Sequence, residues 1–103
     1  MASPIVGIAG WKDSGKTTLT ERLVDAFTRR GLKVATIKHS HHAVETEGVG
    51  TDTARHRRAG ARQTALVSPT RWVVTTEIEG GSEPTVEEIA ARLDPADLII
   101  VEG

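Results

Sequence analysis

The chain has 103 residues, enough for one small domain, and we predict a single domain over residues 1–103. Hydrophobic residues make up 38% and charged residues 26%, a balance typical of soluble globular proteins and not of disordered or fibrous ones. Thirteen basic residues nearly balance fourteen acidic ones, so no overall field favours nucleic acid or a membrane as a partner. The absence of cysteine excludes disulfides and thiolate metal sites.

The N-terminal sequence has no basic region before its short apolar run, so it does not resemble a signal peptide. The longest apolar runs are strand-sized, far short of the roughly 18 residues that a membrane-spanning helix needs. The sequence therefore predicts a cytoplasmic protein.

The first half of the chain alternates between strand and helix patterns. An apolar run over residues 5–9 predicts a buried strand that ends before Gly10. From Lys16 the apolar residues recur at helical spacing, and Gly31 stands where a helix commonly ends. A second strand is predicted over residues 33–38. The residues expected on the buried face of the helix are Leu19, Leu23, Val24 and Phe27.

A polar loop is predicted over residues 39–50, followed by a basic helix that ends at Gly60. Either Thr51 or Asp52 can cap this helix. Its arginines are expected to share one helix face at i, i+3 and i+7, which is usually a solvated face but is also suited to a phosphate group or an acidic partner. They are Arg55, Arg58 and Arg62.

The last third of the sequence predicts a hairpin of strands 64–68 and 71–76. A helix follows, which begins with the Thr85–Glu88 capping box and ends at Leu93. A buried strand is predicted over residues 97–102. Trp72 is expected in the core. Strands alternating with helices predict an α/β fold with a mostly parallel sheet, and the hairpin makes the sheet mixed.

One segment fits the phosphate-loop pattern G-x-x-x-x-G-K-[ST] at every fixed position, and it lies between the first strand and the first helix. Glycines let backbone N–H groups turn toward phosphate oxygens, and the helix N-terminus favours an anion. Lys16 is expected to reach the β- and γ-phosphates, and the Thr17 hydroxyl to bind Mg²⁺. The residues predicted to bind the nucleotide here are Gly10, Lys12, Asp13, Ser14, Gly15, Lys16, Thr17 and Thr18.

A second acidic group is expected in such a site, at the end of another buried strand. Glu102 follows the last apolar run and fits this role, although strands also end at ordinary surface carboxylates. Asp52 follows the polar loop, where it is equally suited to capping the next helix and to the metal shell. Trp11, inside the phosphate loop, is suited to covering the nucleotide or to forming a contact surface.

Beyond the phosphate loop, several segments occur together in the order found in one family. The chain resembles the MobB family, the molybdopterin-guanine dinucleotide biosynthesis adaptor proteins, from end to end. The segments that carry the resemblance are Gly10-Trp-Lys-Asp-Ser-Gly-Lys-Thr-Thr-Leu19, Ile37-Lys-His-Ser-His-His42, Gly50-Thr-Asp-Thr53, Arg58-Ala-Gly-Ala61, Leu66-Val-Ser68, Arg71-Trp72 and Asp97-Leu-Ile-Ile-Val-Glu-Gly103.

The resemblance implies a P-loop NTPase-like three-layer sandwich that binds GTP with Mg²⁺ and hydrolyses it weakly at most. It implies a homodimer that works with the molybdopterin guanylyltransferase, the enzyme that attaches GMP to molybdopterin. Lys16, Asp52 and Glu102 form the implied catalytic set, with Thr17, Asp52 and Glu102 at the metal. Lys38, His39 and His42 would line the adjoining pocket. Because family members continue beyond the Val-Glu-Gly segment, C-terminal truncation is also expected.

Three other functions stay open at this point. The first is a nickel-type metallochaperone GTPase, suggested by the cluster of His39, His41 and His42 close to a phosphate loop. The second is a P-loop kinase that acts on a small molecule. The third is an interaction module whose phosphate loop no longer binds nucleotide.

Overall fold

A computed structural model of the chain describes residues 3–11, 14–40, 52–78 and 80–103. These residues divide into two compact units, one formed by those within 1–42 and 84–103 and the other by those within 43–83. The prediction of a single domain stays a prediction. The elements in chain order are β1 (Ile5–Ile8), α1 (Lys16–Arg29), β2 (Val34–Lys38), α2 (Asp52–Arg58), β3 (Gln63–Val67), β4 (Trp72–Thr76), α3 (Val86–Ala90) and β5 (Leu98–Glu102).

The first unit is built on a parallel sheet of three strands in the order β1-β5-β2. The last strand of the chain is therefore the central one, and Ile99 and Ile100 within it are fully buried. The register places Ile8, Glu102 and Lys38 side by side at the carboxyl ends of the three strands. This edge of the sheet is where ligands bind in parallel α/β folds.

Helix α1 contacts β5 and β2 and follows the glycine-rich loop. It ends at Arg29, which is followed by the C-cap Arg30, and Gly31 takes the positive φ of 85° that favours glycine. Leu23, Val24 and Phe27 are half-buried, but the prediction that Leu19 is also buried is wrong because 48% of it is exposed. Thr20 is the buried residue of this helix. Its hydroxyl donates to the Lys16 carbonyl at 2.8 Å, which satisfies the polar group.

Helix α3 begins with the predicted capping box. The Glu88 backbone N–H donates to the Thr85 hydroxyl oxygen at 3.1 Å. The helix ends at Ala90, three residues before the predicted end, because the chain tightens into i to i−3 hydrogen bonds. These run from Arg92 N–H to the Ile89 carbonyl and from Leu93 N–H to the Ala90 carbonyl, at 3.0 and 3.1 Å.

The second unit contains α2 and the antiparallel pair β3–β4, which confirms the predicted hairpin. The turn is held by Ser68, whose N–H donates to the Arg71 carbonyl at 2.9 Å and whose hydroxyl accepts from the Arg71 N–H at 3.2 Å. A parallel sheet and an antiparallel pair are thus both present. Within the described residues they form two separate sheets, so the prediction of one mixed sheet is wrong.

Two predictions for the second unit are wrong. Trp72 is 70% exposed and does not lie in a core, since it pairs with Val67 at the hairpin end, where both side chains face solvent. Arg62 does not share a helix face with the arginines of α2. The helix stops before Gly60, which adopts a φ of 119°, and Arg62 lies beyond this break.

Among the described residues, no helix has the length and apolar character that crossing a bilayer requires. The longest is α1, with 14 residues.

Candidate functional site

The loop between β1 and α1 depends on two glycines. A Cβ on Gly10 would lie 2.7 Å from the Ser14 hydroxyl oxygen, so a larger residue there would require the Ser14 side chain to move. Gly15 precedes α1 with a φ of 89°, in the left-handed region that glycine adopts at low cost. The first fixed glycine of the motif therefore lies close to the Ser14 side chain, and the second is favoured by its backbone conformation.

The N-terminus of α1 is suited to an anion. Gly15 supplies no side-chain cap, and the first turn contains no acidic residue. The first N–H groups of a helix lack partners within the helix, and the helix dipole places partial positive charge there. Lys16 adds a full charge: its ammonium donates to the Gly10 carbonyl at 3.1 Å and so lies over the loop.

The central contact of the site joins the loop to the last strand. The Thr17 hydroxyl donates to the Glu102 carboxylate at 2.6 Å, a short charge-assisted hydrogen bond. The backbone of Glu102 is fixed on both sides. Its carbonyl accepts from the His39 N–H at 2.8 Å, and the following N–H of Gly103 donates to the Ile8 carbonyl at 3.1 Å. The carboxylate is thus held by a rigid three-strand framework.

Lys38 supplies the counter-charge for this carboxylate. Its ammonium lies 3.6 Å from the Glu102 Oε1 atom that also accepts from Thr17. The Thr17 hydrogen bond lowers the pKa of Glu102 below its usual value of 4.5, and the positive charges of Lys38 and Lys16 lower it further, while burial opposes the change. Glu102 is therefore held as a carboxylate with two lysines close to it.

Gly103 is a requirement that the sequence reasoning did not assign. A Cβ on this residue would lie 2.9 Å from the His39 Cβ and 3.4 Å from the His39 carbonyl oxygen. Glycine therefore permits β2 and β5 to approach at the position immediately beyond Glu102. The glycine after the acidic residue was a visible signal, but its meaning depends on which strand lies beside β5.

The residues present fit a magnesium-bound triphosphate. Thr17 donates its only hydroxyl proton to Glu102, so the lone pairs of its oxygen remain for a cation. Mg²⁺ prefers hard oxygen ligands, which the buried Glu102 carboxylate and the Thr17 hydroxyl supply. Phosphates need positive charge, which Lys16 and the N-terminus of α1 supply. When bound, such an ion would neutralise phosphate charge.

The other predicted residues lie in different parts of the chain. Ser14 is exposed in the loop before α1, Thr18 is exposed in the first turn of α1, and His39 is half-buried beside Glu102. Asp52 is the first residue of α2, in the second unit, and its assignment to the metal shell stays a prediction. Lys12, Asp13, His41 and His42 lie outside the described residues.

Within the described part of the chain, no three His, Cys, Asp or Glu side chains are grouped so that they could hold a metal ion. The histidine cluster of the metallochaperone alternative includes His41 and His42, which that part of the chain does not contain. The metallochaperone alternative therefore stays open.

Comparison with known proteins gives a consistent result. A family model described as molybdopterin guanine dinucleotide synthesis protein B matches residues 5–103. The chain is 39% identical over 102 residues to the molybdopterin-guanine dinucleotide biosynthesis adapter protein of Escherichia coli K12, covering 97% of this chain and 58% of that protein. It matches the crystal structure of Bacillus subtilis MobB with a TM-score of 0.76 and 31% identity, covering 97% of this chain and 60% of that one.

A weaker similarity links the chain to another protein. It is 31% identical over 116 residues to urease accessory protein UreG 2 of a Bradyrhizobium species, covering 100% of this chain and 48% of that protein. The chain thus spans about half to three fifths of the length of each of these three relatives.

Proposed function

The chain belongs to the MobB family of molybdopterin guanine dinucleotide synthesis proteins, and from this premise we propose that it is a GTP-binding adaptor. It binds GTP with Mg²⁺ at the carboxyl edge of the parallel sheet. It assists the molybdopterin guanylyltransferase, the partner that attaches GMP to molybdopterin, and it acts as a homodimer.

The observation that carries the proposal is the hydrogen bond between Thr17 and Glu102. It links the residue after the phosphate-loop lysine to a buried carboxylate on the central strand. An ordinary surface carboxylate at a strand end would be solvated by water, without a hydrogen bond from the residue after the phosphate-loop lysine. The contact supports the assignment of Glu102 to the metal region, in preference to an ordinary strand terminus.

Each residue of the site has a distinct task in this proposal. The first N–H groups of α1 and the Lys16 ammonium bind the phosphates, and Lys16 exchanges the Gly10 carbonyl for a phosphate oxygen. Thr17 offers its oxygen to the metal while its hydroxyl proton stays hydrogen-bonded to the Glu102 carboxylate. The negative charge of Glu102 balances part of the charge of the metal ion, and its carboxylate orients the Thr17 hydroxyl.

Hydrolysis is slow at most in this proposal. Fast P-loop GTPases use a glutamine that orients the attacking water and an arginine finger, and the arginine finger is worth about 10³–10⁵ in rate. The single glutamine of this chain, Gln63, lies on β3, and its side-chain amide donates to the Thr76 hydroxyl at 3.0 Å within the hairpin.

The proposal is tested by adding the purified chain to a guanylyltransferase reaction that contains molybdopterin, GTP and Mg²⁺. The wild-type chain is expected to raise the rate of dinucleotide formation, and Lys16→Ala is expected to abolish the increase. Lys33→Ala is the matched control, because Lys33 precedes β2 at the opposite end of the strand from Lys38. Equal stimulation by the wild type and Lys16→Ala, or no stimulation by either, would contradict the proposal.

A nickel-type metallochaperone GTPase is the second candidate, and the similarity to a urease accessory protein favours it. It predicts a tight, stoichiometric complex with Ni²⁺ or Zn²⁺ that is lost when His41 and His42 are both replaced by alanine. The adaptor proposal predicts that GTP-dependent stimulation survives that double replacement.

The two remaining alternatives give different results. A small-molecule kinase would consume nucleotide only when a hydroxyl acceptor is present, at a rate well above the acceptor-free background. A module that has lost nucleotide binding would leave GTP entirely free at any Mg²⁺ concentration.

A further inference from the structure

The parallel register places Lys38 directly beside Glu102. The two are paired positions on neighbouring strands, and paired positions on a parallel sheet direct their side chains to the same face. On the other neighbouring strand, β1, the residue paired with Glu102 is the apolar Ile8. Across the sheet, the counter-charge of Glu102 therefore comes from β2 and not from β1.

The two partners differ strongly in exposure. The Glu102 side chain is 8% exposed, whereas the Lys38 side chain is 67% exposed. A buried carboxylate without a compensating charge is costly, so Glu102 requires a cation close to it. Lys38 sits on a flexible four-carbon stem with its ammonium mostly in water, so moving it away costs little.

Both contacts of Glu102 converge on the same atom. Oε1 accepts the Thr17 hydroxyl at 2.6 Å and lies 3.6 Å from the Lys38 ammonium. A cation bound to the Thr17 oxygen would therefore be close to Lys38 as well as to Glu102. Since like charges at such distances repel, the ammonium and the divalent ion compete for the same carboxylate.

We infer that Lys38 is an exchangeable counter-ion of Glu102, and that it sets how strongly nucleotide binding depends on Mg²⁺. This inference rests on the proposed function. Without a divalent ion, Lys38 neutralises Glu102 and so reduces the repulsion that this carboxylate exerts on phosphates. With the ion bound, Glu102 no longer needs Lys38, whose ammonium turns toward solvent. Lys38 thereby acts as a positioning residue that favours metal-free nucleotide binding and opposes metal binding.

The test measures the dissociation constant for GTP in EDTA and in Mg²⁺. The first divided by the second is the ratio that expresses the Mg²⁺ dependence. Lys38→Met keeps the stem and removes the charge, so the ratio is expected to rise roughly fivefold, the equivalent of one exposed ion pair. Lys38→Arg keeps the charge and is expected to restore a ratio close to that of the wild type. Lys33→Met, the same change at the opposite end of β2, is expected to leave it unaltered.

A second measurement uses the wild-type protein. The NMR signal of the Lys38 ε-methylene group is expected to shift when Mg²⁺ is added to the GTP complex. An unchanged ratio in Lys38→Met, or a Lys38 signal that Mg²⁺ does not move, would overturn the inference while leaving the proposed function intact. If the wild type binds GTP neither with Mg²⁺ nor without it, the proposed function fails first.

Discussion

The hydroxyl of Thr17 lies 2.6 Å from the carboxylate of Glu102, although 85 residues separate them along the chain. One residue lies in the first turn of α1 and the other ends β5. Their contact exists because β5 lies next to β1, so the end of the central strand meets the start of the helix that follows β1.

Replacing Thr17 by valine keeps the shape of the side chain and removes the hydroxyl. Glu102 then loses its closest donor, and the metal loses a ligand oxygen. We expect the Mg²⁺-dependent part of GTP affinity to fall at least about tenfold, because charge-assisted hydrogen bonds are among the stronger ones. Thr17→Ser keeps the hydroxyl and should bind like the wild type. Equal GTP affinity of Thr17→Val and wild type in Mg²⁺ would show that the hydroxyl serves Glu102 alone.

Gly15 and Gly7 provide a matched pair for testing the loop conformation. A Cβ at either position meets no heavy atom within 4 Å, so crowding is the same in both. Only Gly15 has a positive φ, of 89°. Gly15→Ala is expected to lower the free energy of unfolding by about 1 kcal/mol, whereas Gly7→Ala should be neutral or slightly stabilising. Urea unfolding measures both. Equal effects of the two changes would mean that the left-handed conformation does not persist in solution.

The lowered pKa of Glu102 predicts a pH dependence of stability. Because its folded pKa lies below the usual 4.5, the unfolded chain binds more protons between the two values, and stability rises with pH there. The stabilisation from Glu102 is therefore complete above about pH 4.5 and is lost as pH falls through the folded pKa. Glu102→Gln lacks this contribution, so its stability deficit relative to the wild type should shrink on acidification. A deficit that is constant from pH 7 to pH 3 would contradict the account.

The exposure of Trp72 predicts that it contributes little to stability. Trp72→Thr is expected to change the free energy of unfolding by at most about 1 kcal/mol, the size of a cross-strand pair. Ile100→Ala, at a fully buried position of β5, is expected to cost about 2–5 kcal/mol and is the contrasting control. A loss of more than about 3 kcal/mol in Trp72→Thr would mean that this tryptophan is buried in solution.

The local elements of the fold could be predicted from the sequence. The apolar run of β5, the helical spacing after Lys16 and the Thr85 capping box are all signals within a few residues of each other. The phosphate loop is likewise local, since its glycines and lysine lie within eight positions. Such features depend on backbone preferences and side-chain periodicity, which short segments already express.

What could not be predicted depends on contacts between distant segments. The position of β5 between β1 and β2 is a matter of topology, and the pairing of Lys38 with Glu102 follows from it. Thr20 is buried and its neighbour Leu19 is exposed, which depends on how α1 is rotated about its axis against the sheet. This rotation moves the buried position by one residue from the predicted one. The residue type of Trp72 predicts a core position, but its place at the hairpin end leaves it exposed.

The central claim is that the loop and Glu102 form a site for a magnesium-bound guanine nucleotide. Equilibrium dialysis of labelled GTP against the wild-type chain and Lys16→Ala, in Mg²⁺ and in EDTA, with ATP as competitor, tests it most directly. We predict that one GTP binds per chain in Mg²⁺ and that ATP displaces it poorly. The affinity of Lys16→Ala for GTP is expected to be at least about tenfold weaker, because this variant lacks the positive charge that contacts the phosphates. Absence of GTP binding to the wild type, or equal affinity of the two proteins, would contradict the account.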